Sequence, residues 1–161
     1  MRLSKRGEYG LRAMIDLATM LDDRRGPGPS VVQIKEIAER QHIPAKFLEQ
    51  ILLTLKNNGL LHSRMGVGGG YYLARHADEI SLGHIVRILD GPLAPISCVS
   101  QMAYEPCGCP DERTCGLRLV MLDVRNVISN ILDNTTLFDV IERVDQAKAL
   151  LKDAEKQPIN E

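Results

Sequence analysis

Apolar residues recur at intervals of three and four along most of this chain, and glycine or proline interrupts each run. In residues 9–21, YGLRAMIDLATML, the positions Leu11, Met14, Ile15, Leu17, Ala18 and Leu21 share one face and predict an amphipathic helix. Residues 22–30 contain GPGP and read as a loop, with Ser30 able to cap the next element. Residues 31–41 turn Val32, Ile34, Ile37 and Ala38 inward as a short helix. Pro44 biases Ile43 away from helical angles, so 42–44 is a tight turn. Residues 45–59 form a stronger helix with Phe47, Leu48, Ile51, Leu52 and Leu55 on one face, stopped at Asn58 and Gly59. In 60–74, short apolar runs flank Gly66, Gly68, Gly69 and Gly70, the pattern of a β-hairpin with a glycine tip.

The second half continues with a short helix over 79–91, capped by Ser81 and ended by Gly91. A loop with Pro106, Gly108 and Pro110 follows. Residues 117–132 place Leu117, Val120, Met121, Val124, Val127, Ile128 and Ile131 at near-heptad spacing, and Leu119, Leu122 and Leu132 widen the stripe. That is more apolar surface than one helix needs against its own domain, so one side is read as a seam for a partner helix. Burial in the chain's own core is the alternative, and periodicity does not separate the two. A last helix follows over 133–153, capped by Thr135 or Thr136, and the tail is expected to fray.

The expected fold is mainly α with a small β wing. It comprises a winged helix-turn-helix domain over 1–78, a connecting helix over 79–91 and a cysteine-rich loop over 92–116. A dimerisation helix and C-terminal helix span 117–154, and a tail spans 155–161. A winged helix suits double-stranded DNA, because the second helix of the turn enters the major groove with residues near its N-terminus on base edges. Those residues are Lys46, Glu49 and Gln50: Gln pairs with adenine, Glu accepts from cytosine, and Lys reaches guanine or phosphate. Arg64 and the wing residues Gly68, Gly69 and Tyr71 are the other candidate DNA contacts. A winged helix used only for protein contacts is the alternative. The glycine run does not lead from a strand into a helix, which argues against a nucleotide-binding loop.

Charge sharpens this. Residues 1–78 hold 12 Lys/Arg against 8 Asp/Glu, whereas residues 79–161 hold 8 against 13, so the basic half is the one with the predicted reading helix. No apolar run is long enough for a membrane span, and the basic N-terminus lacks the apolar stretch of a secretory signal. A cytoplasmic protein is expected, where thiols stay reduced. No nucleophile–base arrangement, nucleotide fingerprint or carboxylate pair suggests an enzyme. His42, His62, His76 and His84 are scattered and read as structural or surface residues.

All four cysteines fall within 98–115, spaced C-x8-C-x-C-x5-C. This is neither the C-x2-C pairing of zinc ribbons nor a ferredoxin pattern. A zinc site of four thiolates and a cluster-free switch closing a disulfide on oxidation both remain open. A purely structural role is disfavoured, since the loop has few apolar residues to bury the thiols.

MRLSKRGEYGLRAMIDLA, IAERQHIPAKFLEQIL, NGLLHSRMGVGGGYYLA, SLGHIVRILDG and LDNTTLFDVI together resemble the IscR/NsrR/RirA/CymR superfamily of bacterial transcription regulators over essentially the whole chain. The resemblance implies a homodimer on a palindromic promoter site, a long dimerisation helix and, in many members, an iron–sulfur cluster in the loop before that helix. A 2Fe–2S cluster is favoured over 4Fe–4S, with zinc as the alternative. By this resemblance Cys98, Cys109 and Cys115 are the expected ligands, and Cys107 is an extra thiol able to replace or complement them. IscR-like members place a His ligand where this chain has Arg118, whereas NsrR-like members use an acid from the partner's first helix, the position of Glu8. Met65 stands where IscR-like members carry an Arg before the first wing glycine. The implied function is a regulator whose promoter binding responds to cluster state through redox, nitric oxide or iron. A thiol or zinc regulator of the same fold and a module controlling a metabolic enzyme are the alternatives.

Overall fold

The computed structural model describes residues 2–22 and 30–155. Most of the GPGP loop and the C-terminal tail lie outside the described residues. Helix α1 spans Lys5–Met20. It begins before the apolar periodicity does, because Ser4 caps it. The Ser4 hydroxyl accepts from the Gly7 N–H at 3.0 Å, and the Ser4 N–H donates to the Asp90 carboxylate at 2.8 Å. Helix α2 spans Ile34–Gln41, three residues later than the apolar pattern predicts. Val32 is instead extended and exchanges backbone hydrogen bonds with Tyr71 at 2.9 and 2.8 Å. His42 closes α2 in the left-handed conformation, at φ 52°. The Pro44 carbonyl then accepts the Phe47 and Leu48 N–H groups in the first turn of α3, Ala45–Asn57.

The wing pairs β1, Leu61–Arg64, antiparallel with β2, Gly70–Leu73, so that Leu61 faces Leu73 and Arg64 faces Gly70. A 3-10 turn over Ala77–Glu79 leads to α4, Leu82–Asp90, which Ser81 caps as expected. Helices α1 and α4 pack closely: a Cβ at Gly7 would meet the Asp90 carboxylate, and one at Gly10 would meet Leu89. A second 3-10 turn, Ser97–Val99, precedes α5, Gly116–Asp133. The last helix, α6, spans Leu137–Glu155. Of its two candidate caps, Thr136 serves: its hydroxyl accepts the Asp139 N–H at 3.2 Å while the Asp139 carboxylate accepts the Thr136 N–H at 2.7 Å. Thr135 bonds back to Ile131.

These six helices and the two-stranded sheet are mainly α with a small β wing. The core draws Met14 and Leu17 from α1, Leu48, Ile51, Leu52 and Leu55 from α3, Ile85 from α4 and Leu137 and Ile141 from α6. Helix α6 thus folds into the same core as the helix-turn-helix. Helix α5 stands outside it, with Arg125 as its only buried residue.

Candidate nucleic-acid interface and cysteine loop

Lys46, Glu49 and Gln50 are exposed on α3, opposite the buried Leu48, Ile51 and Leu52. Leu53, one turn beyond Glu49, is half-exposed on the same outer face. Its placement was missed in sequence because it interrupts rather than extends the apolar stripe; an apolar side chain there suits a thymine methyl. Phe47 is not fully inward: its ring meets Tyr9 edge to face, with centroids 5.7 Å apart.

The reading helix is braced from two sides. From α1, the Arg6 guanidinium donates to Thr54 Oγ1 on α3 at 2.6 Å. Also on α1, the buried Asp16 carboxylate accepts from Arg40 of α2 at 2.8–3.2 Å and from Gln41 at 3.0 Å, which stabilises the charged guanidinium and raises its pKa. From the wing, Tyr71 is half-buried beside α3. Burial, then the charge of Glu49, pushes its phenol pKa up, so the hydroxyl stays a donor.

Arg64 does not extend to the wing tip but donates to Ser30 Oγ at 3.0 Å. The tip itself, 65–70, is uncharged. Met65 is 87% exposed and Val67 fully so. Gly68 takes a positive φ of 74°. A Cβ at Gly69 would strike the Arg64 carbonyl, and one at Gly70 would lie 2.5 Å from the Val32 oxygen.

The loop between α4 and α5 holds all four thiols. Cys98 is buried, at 3% exposure, in the 3-10 turn packed against α5. The loop therefore buries one thiol despite its polar composition. Cys115 is the N-cap of α5 and is half-buried with a free thiol. Cys107 and Cys109 are joined Sγ to Sγ, with Cα atoms 5.4 Å apart. Arg118, at the position where the resemblance places a His, donates its Nε–H to the Cys98 carbonyl at 3.3 Å.

Glu112 organises the middle of the loop. Its carboxylate accepts from the Tyr104 hydroxyl at 2.8 and 2.7 Å and from the Cys107 N–H at 3.2 Å, and lies 3.7 Å from the Cys107 sulfur. The Tyr104 hydrogen bond holds this carboxyl below the usual range and pushes the Tyr104 hydroxyl up. Glu112 was missed in sequence. Its signal was there: Cys109, Glu112 and Cys115 read C-x2-E-x2-C.

Glu8 stands apart on α1, 2.9 Å from Lys5 and 3.7 Å from Arg12. The Lys5 hydrogen bond, helped by the charges of Lys5 and Arg12, holds its carboxyl below the ordinary value against an opposing effect of desolvation. Among the described residues no three His, Cys, Asp or Glu side chains already converge as a metal cage. The fit to a cluster is one of donor chemistry: four sulfurs and an ionised carboxylate on one segment.

Along α5, Leu117, Val120, Val124, Val127 and Ile131 are 61, 57, 38, 59 and 55% exposed. Their 3-4-3-4 spacing is that of a coiled-coil seam. Met121, Arg125, Ile128 and Leu132 face the chain's own body. Arg87 of α4 grips Asp133 of α5 with two hydrogen bonds, one of 2.9 Å.

Residues 3–143 match the sequence profile of the family described as Rrf2, iron-dependent transcriptional regulator. An rrf2-like HTH-type transcriptional regulator of Rhodobacter capsulatus is 38% identical over 152 residues, covering 94% of this chain and 99% of that protein. The solved structure of CymR, the global cysteine regulator of B. subtilis, superposes with a TM-score of 0.71 at 31% identity, over 89% of this chain and 98% of that one. The structure of T. potens IscR gives 0.68 at 32% identity, over 91% and 90%. No described helix is long and apolar enough to cross a membrane.

Proposed function

The chain belongs to the Rrf2 family of transcriptional regulators, and from that premise we propose that it is a cytoplasmic homodimer whose binding to a palindromic DNA site responds to an iron–sulfur cluster in the 92–116 loop. Its role is regulatory, not enzymatic. One observation carries the reading. All four thiols lie in the segment that joins α4, whose Asp90 holds the Ser4 cap of the first helix of the DNA-reading domain, to α5, which bears the exposed stripe.

Lys46, Glu49, Gln50 and Leu53 enter the major groove, while Tyr71, Gly68, Gly69 and the wing tip follow the backbone and minor groove. Arg64 supports the wing from Ser30. Two α5 stripes close the dimer, which sets two reading helices on one duplex. Cys98, Cys109 and Cys115 would hold the cluster, 2Fe–2S by preference, and Arg118 steadies the Cys98 peptide. When bound, the cluster supplies thiolate-ligated iron open to attack by oxygen, nitric oxide or superoxide. Loss of those sulfur bonds would free the loop, and DNA affinity would change by the difference in binding energy between the two loop states.

The joined Cys107 and Cys109 favour a second reading, a cluster-free thiol switch. Closing that pair gives up two protons and two electrons to an oxidant such as a peroxide. Cys109 cannot be bonded to Cys107 and ligate iron at once, so the two readings are competing states of one sulfur.

The test is anaerobic purification with visible spectrum, iron, sulfide and zinc analysis and thiol counting. Selection from a pool of randomised duplexes follows, before and after oxidation. Stoichiometric iron and sulfide with a state-dependent enriched sequence supports the cluster. A colourless protein whose affinity follows the Cys107–Cys109 bond supports the switch. One zinc per chain, or no enriched duplex in any state, refutes both.

A further inference from the structure

We propose that a small cavity between α4, α5 and the segment just after Cys98 binds one compact monovalent anion of chloride size, with Arg125 as its counter-charge. This goes beyond the reading above and does not depend on a cluster or on a disulfide. Arg125 is the one buried residue of α5, at 9% exposure, and its buried Nε–H has no hydrogen-bond partner. Among the described residues no carboxylate is paired with it. A guanidinium keeps its proton in a protein, so the charge is not relieved by titration. A buried charge without a counter-charge is heavily destabilising, and Arg125 therefore calls for one from outside the chain.

The lining says what that partner is. Arg125 borders a cavity of about 20 Å³, shared with Arg87, Ser100, Gln101 and Ser129. One water needs about 10–15 Å³, so the space suits a single particle of water or halide size and is too small to enclose a phosphate or sulfate. No Asp or Glu lines it among the described residues. Asp133 already neutralises Arg87 through two hydrogen bonds, which leaves one uncompensated positive charge, that of Arg125. Ser100 is buried, and its Oγ accepts the Ala103 N–H at 2.9 Å, so its own proton is left to donate. A water would satisfy the Arg125 Nε–H but not its charge; a monovalent anion answers both. None of these lining residues belongs to the exposed α5 stripe. A bound anion would tie Ser100, two residues after Cys98, to α5 and to α4, the three elements that meet at the cysteine segment.

The experiment uses full-length wild type, Arg125→Met and Ser129→Ala, dialysed into sodium gluconate, whose anion is too large for the cavity. Circular dichroism checks folding, and sedimentation velocity follows the oligomeric state. Sodium chloride then replaces gluconate at fixed ionic strength while the thermal midpoint is read. The wild-type midpoint should rise along a saturable curve, by roughly 3–6 °C once chloride reaches about ten times its dissociation constant. Arg125→Met, which keeps the packing and removes the charge, should melt at or above wild type in gluconate and show no saturable rise. Ser129→Ala should need several-fold more chloride for the same rise. Sodium bromide should reproduce chloride and give an anomalous-scattering peak beside Arg125 Nε in crystals. The proposal is overturned if wild type shows no saturable rise, or if Arg125→Met shows the same one. It is also overturned if chloride has no effect on wild type while Arg125→Met falls to monomers, since the counter-charge would then be a carboxylate of a second copy. Should Arg125→Met fail to fold, an unshifted Ser129→Ala curve or a bromide-free cavity overturns it.

Discussion

Replacing Val127 by Asp should break the dimer without unfolding the subunit. Val127 is 59% exposed in the middle of the α5 stripe, so the folded chain loses little by the change. Burying a whole Val, Leu or Ile side chain contributes about 1.5–3 kcal/mol. Covering the exposed part of Val127 against a second α5 therefore contributes about 1–2 kcal/mol per chain. A twofold seam counts each substitution twice, about 2–4 kcal/mol per dimer. An aspartate forfeits that and sets a carboxylate against apolar neighbours. At about 1.4 kcal/mol per decade the dissociation constant should rise roughly 30- to 700-fold. Sedimentation velocity over a dilution series measures it, with Asn126→Asp on the neighbouring exposed position as the charge control. A Val127→Asp protein that dissociates within threefold of wild type would show that the stripe is not the seam.

Lys46→Ala with Gln50→Ala should remove sequence preference while leaving the dimer intact. Each lost base contact costs about 1–3 kcal/mol, read by gel shift on a selected duplex, and retained preference would displace α3 as the reading helix. Val67→Arg should add a phosphate contact at each of the dimer's two uncharged tips and steepen the slope of log affinity against log salt by about 1.8; an unchanged slope would place the tip off the DNA. Gly70→Ala drives a Cβ into the Val32 carbonyl and should cost about 1–3 kcal/mol by thermal unfolding, together with weaker DNA binding. The Arg87 hydrogen bond holds the Asp133 carboxyl below its ordinary value, so the pair stabilises above the unfolded-state carboxylate pKa and loses its effect as pH falls through the folded value. Arg87→Met should therefore lower stability at pH 7 by about 0.2–1 kcal/mol, and urea midpoints should converge with wild type only once pH has fallen below the ordinary carboxylate range.

What the sequence made legible follows from which forces are local. The α5 stripe was readable because its 3-4 repeat is written along the helix itself. The reading face of α3 was readable as the complement of Leu48, Ile51 and Leu52. The start of α1 was not, since its cap is completed by Asp90, 86 positions away, and the residues before Tyr9 carry no apolar period. The start of α2 was placed three residues early because Val32 is apolar, yet its backbone pairs with Tyr71. The cysteine spacing pointed to sulfur chemistry but did not say which sulfurs meet. That depends on Arg118 holding Cys98 and on Tyr104 holding Glu112, polar contacts with no periodicity to betray them.

The placement of Asp90 gives the loop a physical route to the DNA. Gly91, at φ 85°, is where the chain leaves α4 for the cysteine segment, and its turn sets the direction of that departure. One residue before it, Asp90 accepts both the N–H and the hydroxyl of Ser4, and the same hydroxyl caps α1 at Gly7. Two residues along α1 from Ser4, Arg6 donates to Thr54 on the reading helix. At the other end of the loop, Cys115 is the N-cap of α5, so the segment is tied at one end to the reading domain and at the other to the seam. A loop loose in sulfur bonding transmits nothing through such ties. Under the proposed function, a loop whose sulfurs are closed, on iron or on each other, would fix the angle between α4 and α5, and with it the separation of the two reading helices of the proposed dimer. DNA offers successive major-groove faces at fixed spacing, so that separation is the quantity a palindromic site discriminates.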